Sequence, residues 1–162
     1  MQKVVVITGG TSGYGLATAE KFKKEGYLVA IASRNAEKVE KVVAEHGFDA
    51  GYKLDVRDYE EWLRVKDEII GKFGAVDVLV NNAGGGVKIA PVAEQSKAEI
   101  DEAIALNLTS AIYGSGLFGA EMKARGSGTI INISSVCARH AWGGWSVYAA
   151  AKAGLLAFTK GL

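Results

Sequence analysis

Lys3-Val4-Val5-Val6-Ile7-Thr8-Gly9-Gly10-Thr11-Ser12-Gly13-Tyr14-Gly15 carries an unbroken apolar run straight into a glycine-rich turn. An apolar run without polar alternation is what a parallel strand covered on both faces requires. A helix is expected next over residues 13–25, with Leu16, Ala19 and Phe22 on one stripe and Gly26 as its stop. Glycines let the backbone take positive φ and approach an anion closely. The helix start then offers unpaired N–H groups and the positive end of the helix dipole. Gly9, Thr11, Ser12, Gly13, Tyr14 and Gly15 therefore form a candidate phosphate loop. Its Gly9-x-x-x-Gly13-x-Gly15 spacing differs from G-x-G-x-x-G and lacks the lysine of a P-loop, which argues against ATP or GTP. A glycine-rich turn that binds nothing is the competing reading.

Outward from this loop, strand and helix alternate without a linker or repeat. Strands are expected at 3–8, 28–32, 51–54, 76–80 and 129–133. Between them, Asn35 caps a helix over 36–45, and Asp58 caps one carrying Trp62, Val65, Ile69 and Phe73. Ile100, Ile104, Leu108 and Ala111 mark a long helix to about 124, and a last helix starts near Ser146. This alternation implies right-handed crossovers and one α/β domain over 1–162, a doubly wound, Rossmann-like parallel sheet ordered 3-2-1-4-5. Ligands bind such sheets at the carboxyl ends of the strands.

The 162 residues suffice for one buried core. With 19 basic and 18 acidic residues, no charge excess points to nucleic acid or an anionic membrane. Apolar runs of four or five residues are far short of a membrane span, and the N-terminus has no signal-peptide pattern. Cys137 is the one cysteine, which suits a reducing compartment, so the cytoplasm is expected.

The loop spacing resembles the Thr-Gly-x-x-x-Gly-x-Gly motif of short-chain dehydrogenases/reductases. Asn81-Asn82-Ala83-Gly84 is similar to that family's Asn-Asn-Ala-Gly motif. Asn107, Ser135, Tyr148 and Lys152 follow in the order and spacing of its catalytic tetrad, and the resemblance covers the whole chain. It implies an oxidoreductase passing a hydride between a nicotinamide cofactor and a small-molecule carbonyl or secondary alcohol. Asn82, Ala83 and Gly84 would join the cofactor-binding set, as would Tyr148 and Lys152. A homo-dimer or homo-tetramer is implied as well.

The end of the second strand is where the adenosine ribose is read. Ser33-Arg34 stand there in place of a carboxylate, and Arg34 could pair with a 2′-phosphate. NADP(H) is therefore favoured and NAD(H) is possible, although Ser12 stands where many NADP-using members carry a basic residue. A solvated arginine is the alternative. Asp55-Val56 resembles the family's adenine contact, with Asp55 meeting the amino group; an ordinary turn is the competing reading.

Tyr148 and Lys152, four apart on a helix, leave the same face. A tyrosine phenol is a weak base at neutral pH, and an ammonium about 4 Å away at an effective dielectric of ~20 supplies ~4 kcal/mol toward its ionisation. The pair can then exchange a proton with a carbonyl/alcohol couple. By resemblance, Ser135 steadies the substrate oxygen, Lys152 also binds the nicotinamide ribose, and Asn107 holds a water in a relay to Lys152. For Asn107 a hydrogen-bonded core amide stays open.

His140 and Cys137 do not make a metal site or a triad, and no metal is expected. Glu60-Glu61 reads as solvated helix surface. Trp142 and Trp145 either line an apolar substrate pocket or pack in the core. Gly114, Gly116 and Gly119 suit close helix packing, within or between subunits.

The chain stops ten residues past Lys152 inside the last helix, without a sixth or seventh strand. By the same resemblance, the segment that closes over the nicotinamide is missing, so a C-terminally shortened fragment is expected, with a reduced member of impaired turnover as the alternative. The rival to an enzyme is a non-catalytic NADP-binding sensor or scaffold, against which the intact tetrad argues. A nucleotide-sugar epimerase or dehydratase ranks third on its glycine spacing.

Overall fold

Residues 2–162 are described by the structure, a computed structural model. Five parallel strands lie in the order β3-β2-β1-β4-β5, as the alternation requires. They are β1 (Val4–Thr8), β2 (Leu28–Ser33), β3 (Ala50–Lys53), β4 (Val78–Asn81) and β5 (Thr129–Asn132). The helices are α1 (Gly13–Lys24), α2 (Ala36–His46), α3 (Tyr59–Phe73), α4 (Lys97–Ile104), α5 (Ser110–Arg125) and α6 (Ser146–Gly161).

The two-residue period of a strand divides the core into two layers. Val4 and Val6 of β1, with Ala30, Ala32 and Leu79, pack against Trp62, Val65 and Ile69 of α3 and Phe118 and Met122 of α5. Val5 and Ile7, with Val29, Ile31 and Val80, face the other way onto Ala19 of α1 and Val39 and Val42 of α2. Each valine, leucine, isoleucine, phenylalanine or methionine among them that is fully removed from water contributes about 1.5–3 kcal/mol. Trp62 is 1% exposed, and its indole N–H donates to the Val56 carbonyl at 2.9 Å. The core thereby fixes a loop of the site.

The caps act as the sequence indicates. The Asn35 side chain accepts from the Lys38 N–H, and that of Asp58 from Glu60 and Glu61. Strand limits shift by one or two residues. β4 begins at Val78 and not at residue 76, because the Asp77 carboxylate accepts the Val4 N–H at 2.8 Å and pairs with Arg125. Glu61 is not free surface: it accepts the Asp55 N–H at 2.7 Å and pairs with Lys53. Gly114 serves packing inside the chain, since a Cβ there would meet Asn81 Oδ1 and the Trp62 ring, each at 2.7 Å.

The expected long helix is a rod of three parts. α4 opens on a Ser96/Glu99 capping box and runs through a π-helical turn, Ala105–Thr109, into α5. Its 29 residues are long and apolar enough to cross a bilayer, yet Ala111, Phe118 and Met122 are buried against the sheet and neighbouring helices. Wide turns of this kind concentrate at functional sites. Asn107 is in the middle of this one.

Candidate active site

All five strands point their carboxyl ends toward one side, and there a cavity of about 670 Å³ opens. One end is the phosphate loop. Gly9 has φ 66°, and a Cβ on Gly15 would lie 2.2 Å from the Gly9 carbonyl oxygen, so only glycine closes this turn onto the start of α1. Ser12 occupies the N-cap position without a side-chain cap bond, which leaves first-turn N–H groups of α1 for an anion. Gly9, Ser12, Tyr14 and Gly15 line the cavity. Gly13 turns the chain at φ 53°, and Thr11 is buried behind, its hydroxyl 3.4 Å from that of Ser33.

Ser33 and the exposed Arg34 form the far wall of this end, with Ala32, Leu54 and Val56 as an apolar floor. The Asp55 carboxylate is held by Arg57. Both its oxygens accept from Arg57, at 2.6 Å from Nη2 and 2.9 Å from Nε. Hydrogen bonding to Arg57 holds this carboxyl below the usual carboxylate range against the opposing effect of partial burial. Arg57 also reaches Glu102 of α4 at 2.6 Å, tying the loop after β3 to the helix that leads into Asn107.

At the other end, Asn82, Ala83, Gly84, Ser135, Tyr148 and Lys152 line the same cavity. Lys152 is 4% exposed, and its ammonium donates to the Ile133 carbonyl at 2.8 Å. Nζ lies 5.9 Å from the centre of the Tyr148 ring. Burial pushes the ammonium below the ordinary lysine range. Ser135 Oγ accepts from the Cys137 N–H at 3.2 Å and donates no bond among the described residues, so its proton is free to point into the cavity. Trp145 packs edge-on against Tyr148 at 5.5 Å, and Trp142 is 56% exposed; neither is a core residue.

Asn107 stands just outside the cavity. Its amide donates to the carbonyls of Gly85 (2.8 Å) and Ala103 (3.0 Å) and accepts the Gly85 N–H at 2.9 Å. A Cβ on Gly84 would come within 2.8 Å of Asn107 Oδ1 and 3.1 Å of Lys152 Nζ. Asn107 and Lys152 thus converge on one glycine, without a direct bond between them.

Sequence reasoning missed several lining residues. Ala32 and Leu54 could have been read from their places at strand ends. Ile133 and Val136 belong to the β5 loop, whereas Leu106 enters through the π-helical turn, which no periodicity signals. Among the described residues, no group of His, Cys, Asp and Glu is arranged to hold a metal ion.

The profile of the short chain dehydrogenase family matches residues 3–162. The D-threitol dehydrogenase of Mycolicibacterium smegmatis is 33% identical over 162 residues, covering 98% of this chain and 62% of that protein. A metagenomic short-chain oxidoreductase solved in complex with NADP superposes with a TM-score of 0.92 at 32% identity, over 98% of this chain and 74% of its own. An NAD+-bound xylitol dehydrogenase superposes equally well, at 0.92 and 29% identity, over 98% of this chain and 63% of its own. The chain spans 61–66% of the length of several of the curated relatives it matches. A match over nearly every residue, on the same five-stranded sheet, leaves one assignment: the chain belongs to the short-chain dehydrogenase family.

Proposed function

We propose that this protein transfers a hydride between a nicotinamide dinucleotide and a small-molecule carbonyl or secondary alcohol in the cytoplasm, with NADP(H) preferred over NAD(H). The observation that carries the reading is the continuity of the cavity, from Arg34 past the phosphate loop to Tyr148, Ser135 and Lys152. A dinucleotide fits this outline. Its 2′-phosphate would meet Ser33 and Arg34, its adenine the apolar floor of Leu54 and Val56, and its pyrophosphate the start of α1. The Asp55 carboxylate, held in place by Arg57, would accept from the adenine amino group.

When bound, the dinucleotide supplies or accepts the hydride. Tyr148 gives a proton to the carbonyl oxygen as the alcohol forms, or takes it back in oxidation. Ser135, with its proton uncommitted, donates to that same oxygen and steadies its developing charge. Lys152 lends positive charge beside the phenol and reaches toward the ribose with the donors not used by Ile133. Asn107 braces the Gly84–Gly85 backbone beneath Lys152, and relay of the proton through a water beside it belongs to the same reading. Assembly into a homo-dimer or homo-tetramer belongs to it too, and sedimentation checks that part.

The test pairs binding with turnover. Fluorescence titration should give tighter binding of NADPH than of NADH, and a panel of ketones, ketoacyl esters and quinones should include a substrate. Tyr148→Phe should abolish reduction while leaving cofactor affinity within about twofold, because the ring still packs but cannot exchange a proton. Substantial turnover in that variant would mean another acid/base. NADPH binding with no reduction of any carbonyl would favour the sensor reading.

A further inference from the structure

We infer that Ser134, the neighbour of the proposed catalytic serine, is a positioning residue that sets where the Lys152 ammonium sits. The Ser134 hydroxyl donates to the Lys152 main-chain carbonyl at 3.0 Å. The Lys152 ammonium donates to the carbonyl of Ile133, the residue joined to Ser134 by one peptide bond, at 2.8 Å. The end of β5 therefore grips Lys152 at both extremities, its backbone and its Nζ. A lysine carries about 2 kcal/mol of rotamer freedom. Fixing both ends of the side chain selects one rotamer from that set.

Steric room makes the selection narrow. Nζ lies close to Gly84, where a Cβ would be only 3.1 Å away, and Asn107 Oδ1 would be 2.8 Å from the same Cβ. A shift of α6 relative to β5 must therefore move Nζ toward Gly84 or out into the cavity. Ser134 opposes that shift from within the site. The other polar link between these elements, Asn132 Nδ2 to Thr159 Oγ1 at 3.0 Å, is about two helical turns further along α6.

The two adjacent serines consequently have different work. The Ser134 proton is committed to Lys152, so Ser134 cannot also donate to a substrate oxygen. The Ser135 proton is uncommitted. The spacing to Tyr148 singles out Ser135 by resemblance, and the direction of the hydrogen bonds agrees with that choice.

The inference rests on the catalytic role proposed above for Lys152, so its test starts with a measurement that needs no turnover. An amine-acylating reagent is applied to the chain across a pH series, and Lys152 modification is followed by peptide mass spectrometry. Burial depresses the Lys152 ammonium in the native chain. Ser134→Ala should loosen its seat, raising the pH midpoint of modification by about one unit and the plateau rate several-fold. Ser134→Thr, which keeps the hydroxyl, should hold the native midpoint. Ser134→Cys, with its weak donor, should fall between. Thr159→Ala cuts the distant link between β5 and α6 and should leave the midpoint in place.

In carbonyl reduction, Ser134→Ala should lower kcat about tenfold with KM changed by less than about twofold, as expected for a misplaced group acting in the transition state. A native midpoint in Ser134→Ala, or an equal shift in Thr159→Ala, would overturn the inference. Absence of turnover in the native chain would reject the function proposed above, while the modification profile would still decide the role of Ser134.

Discussion

Thr8 and Asn82 hold each other reciprocally across the first and fourth strands. The Asn82 side-chain amide donates to the Thr8 carbonyl at 2.9 Å, and the Thr8 hydroxyl accepts the Asn82 main-chain N–H at 3.0 Å. That hydroxyl also accepts the Ala83 N–H at 3.0 Å. The phosphate loop and the Asn-Asn-Ala-Gly loop are thereby one unit, and the two halves of the cavity keep their spacing through it.

Thr8→Val tests this joint. Valine matches the shape, but two main-chain N–H groups would lose their acceptor in a site where Thr8 is 2% exposed. A loss of about 2–4 kcal/mol is expected, from one buried unsatisfied donor or both. Urea denaturation measures it, and NADPH affinity should fall in parallel because the loops separate. A stability within 0.5 kcal/mol of the native chain, roughly the range of neutral surface changes, would show that the joint is dispensable.

Gly84→Ala reaches the catalytic end directly. The added methyl group would lie 2.8 Å from Asn107 Oδ1 and 3.1 Å from Lys152 Nζ, so one of them must move. Overpacking of this kind costs about 1–3 kcal/mol. The expected signature is a fall in kcat larger than the change in NADPH affinity, read from steady-state rates beside fluorescence titration. Equal losses in both would place Gly84 in cofactor binding alone.

Much of this arrangement is legible in the chain because its signals are local. The valine runs of β1 and β4 define strands buried on both faces, and Asn35 and Asp58 announce their helices through their own side-chain caps. Tyr148 and Lys152 share a helix face, so their proximity follows from spacing. What escapes the sequence is decided between distant segments. The π-helical turn around Asn107 has no periodic signature. Arg57, which holds Asp55 from two residues away, also reaches Glu102 of α4, 45 residues on, and that second link has no local signal. The hold of Ser134 on the Lys152 carbonyl is likewise made between the end of β5 and α6, and no spacing records it.

Cofactor choice should respond to Arg34. It lines the cavity beside Ser33, and its charge is felt by the Asp55 carboxylate, which is itself bonded to Arg57. A charge-assisted pair with a 2′-phosphate contributes about 1.5–3 kcal/mol, so Arg34→Asp should lower the NADPH-to-NADH affinity ratio by at least about tenfold and favour NADH. Titration of both dinucleotides against both proteins measures the ratio. An unchanged ratio would remove Arg34 from the 2′-phosphate site.

Stability should depend on pH through Lys152 with a definite sign. Burial lowers its ammonium below the ordinary lysine range in the folded chain, whereas in the unfolded chain it titrates normally. Between those two positions the unfolded chain holds more protons, so stability rises with pH across that window. Below the window both states are charged and the desolvation cost is present in full; above it both are neutral and the cost is gone. Lys152→Met keeps the unbranched stem, one atom shorter, and removes the titration. The native chain should therefore gain on the methionine variant as pH climbs toward the ordinary lysine range, by at most about 1.4 kcal/mol per unit within the window. Urea denaturation of both proteins over a pH series gives the difference directly, and groups common to both cancel. The neighbouring Tyr148 phenol is removed from the comparison by repeating the pair in the Tyr148→Phe background. Parallel stability curves in that background would mean that Lys152 carries no desolvation cost, and that the site holds its ammonium in contact with water.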